Sequence, residues 1–250
     1  MIYVNVPIGG DYGWGMVGKY FTRELAALAP IRLVTPDFTA KDVGEEFEHY
    51  RLNQLRATAE ELVDLPKSPL LQGIVGSSLL PTEPQYASTK TIGYTALEEN
   101  HLRPQAIETA KQRYQTVVTP SAWCTQILRD HGLENVTTIL QGVDPSLFFP
   151  HEVENRILPD KFVVFSGGKF EFRKGQDVVI RAFKVLADRH PDVMLLTAWY
   201  NHWPSSWQSM KISPLIHFAP STTRYFDALN ETLAANGIDP ARAIHLAPRP

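Results

Sequence analysis

Apolar positions along this chain alternate between two spacings, short continuous runs and one-sided helical faces. Ile2-Tyr3-Val4-Asn5-Val6 opens it as a strand, and Val17, Phe21, Leu25 and Leu28 mark the inward face of a helix. Ile31 to Thr35 reads as a second strand. Residues 37–69 carry a weaker pattern, in which Leu52, Leu55, Ala59 and Leu62 suggest one helix ended by Pro66 and Pro69. The alternation then resumes with a strand at Leu70 to Val75, a Pro-containing loop at Ser77 to Ser88 and a strand at Ile92 to Thr95. A polar helix at Pro104 to Arg113 leads into a strand at Thr116 to Thr119. Ser121 stands where the N-cap of the next helix, carrying Ile127 and Leu128, is needed. His131-Gly132 closes that helix, and Val136 to Leu140 returns as a strand.

A second series follows. Phe162 to Phe165 reads as a buried parallel strand, and Val179, Ala182, Phe183 and Leu186 form one helical face. Val193 to Thr197 is another strand, a helix runs around Phe226 to Ala235, and Ile244 to Leu246 starts a third strand. Strand and helix in regular alternation predict an α/β chain built on parallel sheets. Between the series, a Pro-containing segment ending at Phe149-Pro150 and the polar run His151 to Arg156 read as a boundary. The expected division is a first domain over 1–143, a linker over 144–160 and a second domain over 161–250.

Composition narrows the function classes. A chain of 250 residues can hold two domains with cores of their own. Its net charge of -3 provides no general attraction to nucleic acid, so no nucleic-acid partner is expected and any anion must be held locally. The lone Cys124 excludes an internal disulfide and a cysteine metal cluster, which suits a reducing cytoplasm. No apolar stretch is long enough to cross a bilayer, and the opening strand lacks the basic flank of a signal peptide.

The candidate chemistry centres on the loop after the first strand of the second series. Lys169, Arg173 and Lys174 stand between Gly168 and Gly175, just before a helix start. Free N–H groups and the positive end of the helix dipole, joined by added cations, make an anion site at the carboxyl end of a strand. Alternatively, the three cations are a solvated loop edge. In the first series, Gly13-x-Gly15-x-x-Gly18 matches the dinucleotide fingerprint, with Asp37 following the second strand. Its register fails, because Pro7 to Tyr12 intervene between strand and first glycine and Trp14 sits where close backbone approach is needed. Glu98, Glu99 and His101, after the strand at Ile92, are suited to acid–base work or to sugar hydroxyls, and equally to a solvated turn. Trp199, Trp203 and Trp207, three of the chain's five tryptophans, either cap the core or line a cleft where an indole stacks on a ring.

Several segments, in order, resemble glycosyltransferase family 4, the group 1 glycosyltransferases. Gly168-Lys169 through Lys174-Gly175 is similar to the family's G-R-x-x-x-x-K-G, with Lys169 where Arg is usual. Gly142-Val143-Asp144, Phe148 and Pro150 match its G-V-D-x-x-x-F-x-P crossing between domains, and Thr119-Pro120-Ser121 and Gly93 through Glu98 also match. The resemblance implies the GT-B fold, two facing Rossmann-like doubly wound domains with a donor cleft between them. It implies transfer of a sugar from a nucleotide-diphosphate donor to a sugar, lipid-linked sugar or protein acceptor, with retention at the anomeric carbon. It calls for no cofactor and no essential metal. Gly168, Lys169, Arg173 and Lys174 would hold the donor diphosphate, Lys169 and Lys174 being catalytic. The Gly9-Gly10 loop would approach donor and acceptor, and Glu98 would lie on the acceptor side. The location implied is cytoplasmic, with peripheral contact at the inner membrane face as a further option. The family's E-x-x-x-x-x-x-x-E pair is missing, so the second domain is expected to be incomplete in this chain. A nucleotide-sugar epimerase on the same scaffold and a non-catalytic sugar- or nucleotide-binding module are the rival readings.

Overall fold

The computed structural model describes residues 1–10, 12–151, 158–201 and 204–247. The chain divides into two compact units, Met1–Phe149 and Pro150–Pro250. Residues 152–156 of the polar run lie outside the described residues.

The first unit is a six-stranded parallel sheet of β1 (Ile2–Asn5), β2 (Ile31–Leu33), β3 (Pro69–Gly73), β4 (Lys90–Tyr94), β5 (Thr116–Thr119) and β6 (Val136–Thr138). The order across the sheet is β2-β1-β3-β4-β5-β6. Both faces are covered, which is why these strands are apolar at successive positions. Val4, Leu71, Tyr94 and Val118 pack on one side with α1 (Gly13–Leu28), α2 (Ala40–Val43) and α3 (Glu46–Asn53). On the other side Val117 and Val136 meet α4 (Pro104–Arg113) and α5 (Ala122–Asp130), while Tyr3 and Leu70 meet Leu65. The chain leaves β1 toward β2 and returns on the opposite side to β3. The carboxyl ends of β1 and β3 therefore form the switch point at which open α/β sheets admit ligands.

The second unit contains β7 (Phe162–Gly167), α6 (Gln176–Arg189), β8 (Val193–Ala198), α7 (Tyr225–Ala235) and β9 (Ala243–His245), its parallel strands lying in sequence order. Right-handed crossovers between strands in sequence order put both helices on one face. Val164, Val193, Leu195 and Ala243 form that face and pack with Ile180, Phe183, Leu229 and Leu233. Val163, Phe165, Met194, Leu196 and Ile244 alternate with them on the other face, where Phe165 is 61% exposed. The expectation of a buried strand at Phe162 is thus corrected, since among the described residues β7 is an edge strand with one bare face.

Three further expectations change. Leu28 does not point inward and is 83% exposed; α1 instead buries Gly15, Gly18 and Thr22. The single helix through Leu52 and Leu62 is broken, because Arg56 bridges to Leu33 at the end of β2 and a 3-10 turn forms later, at Glu61–Lys67. The strand at Val136 stops at Thr138, leaving Leu140 exposed.

Candidate functional site

The basic loop leaves the carboxyl end of β7 and enters α6 through two glycines in left-handed conformations, Gly168 at φ 105° and Gly175 at φ 75°. Only glycine takes these angles without strain, so the turn that brings the cations to the helix start depends on both. Between them the loop is fixed from below. Phe170 is fully buried and stacks on Trp199 with ring centroids 5.3 Å apart. Its backbone is held like a strand partner by one side chain: the Phe170 N–H donates to Asn201 Oδ1 at 2.7 Å, and Asn201 Nδ2 donates to the Phe170 carbonyl at 3.0 Å. Asn201 Nδ2 also donates to Ser206 Oγ at 2.9 Å, and the Phe172 N–H donates to Ser209 Oγ at 3.0 Å.

Glu171, itself buried, lies among the cations. Its Oε1 accepts from the Arg173 guanidinium at 2.7 Å, and its Oε2 lies 3.4 Å from Lys169 Nζ. Lys174 is exposed. The carboxylate orients Lys169 and Arg173, and the cations still outnumber it. The start of α6 has no side-chain cap from Gly175. Its Asp177, buried in the first turn, accepts from the Val178 N–H at 2.9 Å and from Ser213 Oγ at 2.7 Å. The Gln176 side chain is buried behind Gly168, and its Oε1 has no hydrogen-bond partner among the described residues. A loop with this charge, set by rigid contacts at a helix start, can hold a phosphate-type anion.

Of the tryptophans, Trp199 and Trp207 are core residues, packed with Phe170, Met210 and Phe218; Trp203 lies outside the described residues. The cap reading therefore holds for those two, and the exposed ring at the end of β8 is Tyr200. Asn201, Glu171 and Gln176 were not flagged by sequence pattern. Glu171 was the one with a visible signal, an acid in the middle of K-F-E-F-R-K.

In the first unit, Gly9 and Gly10 lie in the loop after β1. A side chain at Gly9 would meet the Tyr12 ring at 2.5 Å, and one at Gly10 would meet the Asp42 carbonyl at 3.0 Å. A Cβ at Gly15 would come 2.6 Å from the Gly9 nitrogen, and one at Gly18 would come 1.9 Å from the Pro7 carbonyl. Gly15 and Gly18 thus serve close packing of α1 against this loop, whereas a Cβ at Gly13 would meet nothing within 4 Å. A small cavity of about 150 Å³ opens beside it, lined by Pro7, Tyr12, Asp37 and Glu83. Burial, aided by Asp42, pushes the Tyr12 phenol upward.

Glu98 is exposed after β4, whereas Glu99 and His101 line a separate, larger cavity of about 670 Å³. Ser121 caps α5, accepting from the Cys124 N–H at 3.2 Å. Asp144 accepts from Ser146 Oγ at 2.6 Å and from the Ser146 N–H at 2.9 Å, bonds that hold its carboxyl below the usual range. The basic loop belongs to the second unit, and Gly9, Gly10 and Glu98 belong to the first.

The sequence matches no family model and no curated protein. Among solved structures, the chain is similar to HepE of Anabaena in complex with UDP and glucose, at 15% identity and a TM-score of 0.49, covering 98% of this chain and 68% of that one. The complex of the same protein with UDP-glucose aligns at 14% identity and a TM-score of 0.48, covering 100% of this chain and 69% of that one.

Proposed function

We propose that the protein is a glycosyltransferase of the family 4 type that takes a sugar from a nucleotide-diphosphate donor. The observation that carries this reading is the loop at Gly168–Gly175. It is cationic, turned by two left-handed glycines, clamped by Asn201 and delivered to a helix start at the carboxyl end of β7. The ordered motifs, including Gly142-Val143-Asp144 and Thr119-Pro120-Ser121, support it from the sequence. The proposed domains are 1–143 and 161–250, joined by 144–160, and the proposed reaction is retaining and without an essential metal. The location proposed is the cytoplasm, with the membrane's inner face as a peripheral option; among the described residues no helix is long and apolar enough to cross a membrane.

In the chemical step the bond from the anomeric carbon to the diphosphate oxygen breaks, and its electron pair stays with the diphosphate. The acceptor hydroxyl forms the new bond, and its proton passes to the departing diphosphate oxygen. Negative charge builds on the departing oxygens, and Lys169 and Lys174, with Arg173 and the first N–H groups of α6, neutralise it in place. Glu171 holds Lys169 and Arg173 near their working positions beforehand, so little reorganisation is needed when the donor arrives. Lysine at 169 supplies a point charge where the family's arginine would supply a bidentate fork. Gly9 and Gly10 would let backbone approach the ligands, and Glu98 would face the acceptor.

The test is Lys174→Ala in the full-length protein, with UDP- and GDP-sugars and product analysis with and without added acceptor. Lys174 is exposed, so the fold should survive the change. A loss of about 10²–10³ in turnover is expected, by analogy with a lost oxyanion donor. Unchanged turnover would remove the loop from the mechanism, and conversion of donor without acceptor would favour the epimerase.

A further inference from the structure

The first unit contains a cavity of about 670 Å³, within the usual range for small-molecule sites, between the loop after β3 and the segment that enters α4. Ser77, Glu99, His101, Arg103, Gln105 and Thr109 line it, with Leu80 as an apolar patch. Among the described residues, the side chains of Glu99, Arg103 and Gln105 have no hydrogen-bond or ion-pair partner in the protein. A carboxylate, a guanidinium and an amide thus converge on one space with their bonding capacity unspent.

Their backbone is held from behind. Leu102, between His101 and Arg103, is buried, and its N–H donates to His131 Nε2 at 3.3 Å. His131 Nδ1 in turn donates to the Ile127 carbonyl at 2.8 Å, which fixes the ring as the tautomer whose Nε2 accepts. With Leu102 anchored inward, the side chains on either side of it are directed to the cavity. Gln105 and Thr109 are one helical turn apart on α4, and the buried Ala106 lines the same cavity beside them.

The opposite wall is equally constrained. A Cβ on Gly76 would stand 2.6 Å from the Ala96 carbonyl, so the loop bearing Ser77 lies directly against the end of β4. Leu79 is buried at φ 53°, a left-handed conformation unusual for a branched residue, and its carbonyl accepts from the Tyr114 hydroxyl at 2.9 Å.

We infer that this cavity is a binding site for a sugar that carries a carboxylate or phosphate. The Arg103 guanidinium matches such a group in a two-pronged bond, Glu99 and Gln105 accept from ring hydroxyls, and Leu80 meets the apolar edge of the ring. On the reading of the chain as a glycosyltransferase, the sugar bound here is the acceptor. The site itself requires none of the second unit's residues.

The experiment is saturation-transfer NMR, with calorimetry for affinities, on the full chain with glucuronate, glucose 6-phosphate and glucose. The expected result is that at least one of the two anionic sugars binds and that glucose binds more weakly; the stronger of the two identifies the anionic group. Arg103→Ala should lower anionic-sugar affinity about tenfold or more, while leaving any glucose signal in place. Glu99→Gln should weaken charged and neutral sugars alike. Both positions are exposed and should tolerate change without unfolding. Failure of both anionic sugars to bind, or binding indifferent to both substitutions, overturns the inference. UDP affinity serves as the separate control. Anionic-sugar binding without UDP binding keeps this site and removes the donor reading, and UDP binding without sugar binding does the reverse.

Discussion

Asn201→Ala is the sharpest probe of how the basic loop is built. Asn201 is 5% exposed, and its amide spans the Phe170 peptide with one bond accepted and one donated, while also reaching Ser206. Alanine removes these bonds, together with one accepted from the Tyr225 hydroxyl at 3.5 Å, and leaves the N–H and carbonyl of the buried Phe170 without partners. An orphaned buried polar group costs about 1–3 kcal/mol, so partial relaxation or entry of water suggests a total of about 2–4 kcal/mol. Against an overall stability of about 5–15 kcal/mol, that loss is readily measured. Two units need not unfold together, so the signal must belong to the second one. Trp199 and Trp207 are buried there and report on it by fluorescence in a urea titration once Trp14 and Trp123 of the first unit are replaced by phenylalanine in both proteins compared. The expected outcome is a lower urea midpoint at unchanged slope, together with weaker UDP binding because Lys169 and Arg173 lose their platform. Asn201→Asp retains the acceptor for the Phe170 N–H but sets a carboxylate against the Phe170 carbonyl, so it should not rescue. An unfolding free energy within about 0.5 kcal/mol of the parent would refute the reasoning that this one amide holds the loop.

Two further predictions concern packing and pH. Gly18→Ala puts a methyl 1.9 Å from the Pro7 carbonyl, whereas Gly13→Ala, on the same helix, meets nothing within 4 Å. The former should destabilise by about 1–3 kcal/mol or more and the latter should be neutral or stabilising by about 0.4–1 kcal/mol, both read from thermal melts. His245 donates from Nε2 to Asn230 Oδ1 at 3.1 Å and accepts from the Thr197 hydroxyl at 2.7 Å, and burial lowers its pKa. The unfolded chain, with an ordinary histidine pKa of about 6.5, then binds the proton more readily than the native one. Stability is therefore complete above about pH 6.5 and falls as the pH drops below it, levelling off once the native histidine is also protonated. Denaturation at pH 7.5 and 5.0 should show this slope, and His245→Gln should flatten it.

Local periodicity was enough for the elements that carry a full hydrophobic face or a clear cap. The helix at Pro104–Arg113 and the strand at Thr116–Thr119 form where the pattern puts them, and Ser121 caps α5 as expected. It failed where long-range pairing overrode the local signal, as when Arg56 bridges to Leu33 and breaks the helix expected from Leu52 to Leu62. It also failed where a sheet face is bare, because an apolar run such as Phe162 to Phe165 looks identical whether one side is covered or both are. At the basic loop the cations and glycines were legible as a motif. Their support was not, since Asn201 lies 31 positions from Phe170 and nothing local marks it as that residue's partner. The cavity beside α4 was visible only as Glu99 and His101, because Arg103 and Gln105 join them through the turn into the helix.

The uncovered side of the second unit's sheet has a practical consequence. Val163, Phe165 and Ile244 present oily surface next to the outer edge of β7, which is unpaired among the described residues, a combination that invites sticking between molecules at high concentration. A fragment cut down to residues 158–247 would take up hydrophobic dyes and cloud on concentration. The same surface is exposed in the entire polypeptide, so ligand titrations on either should be run dilute, where clumping does not mask affinity.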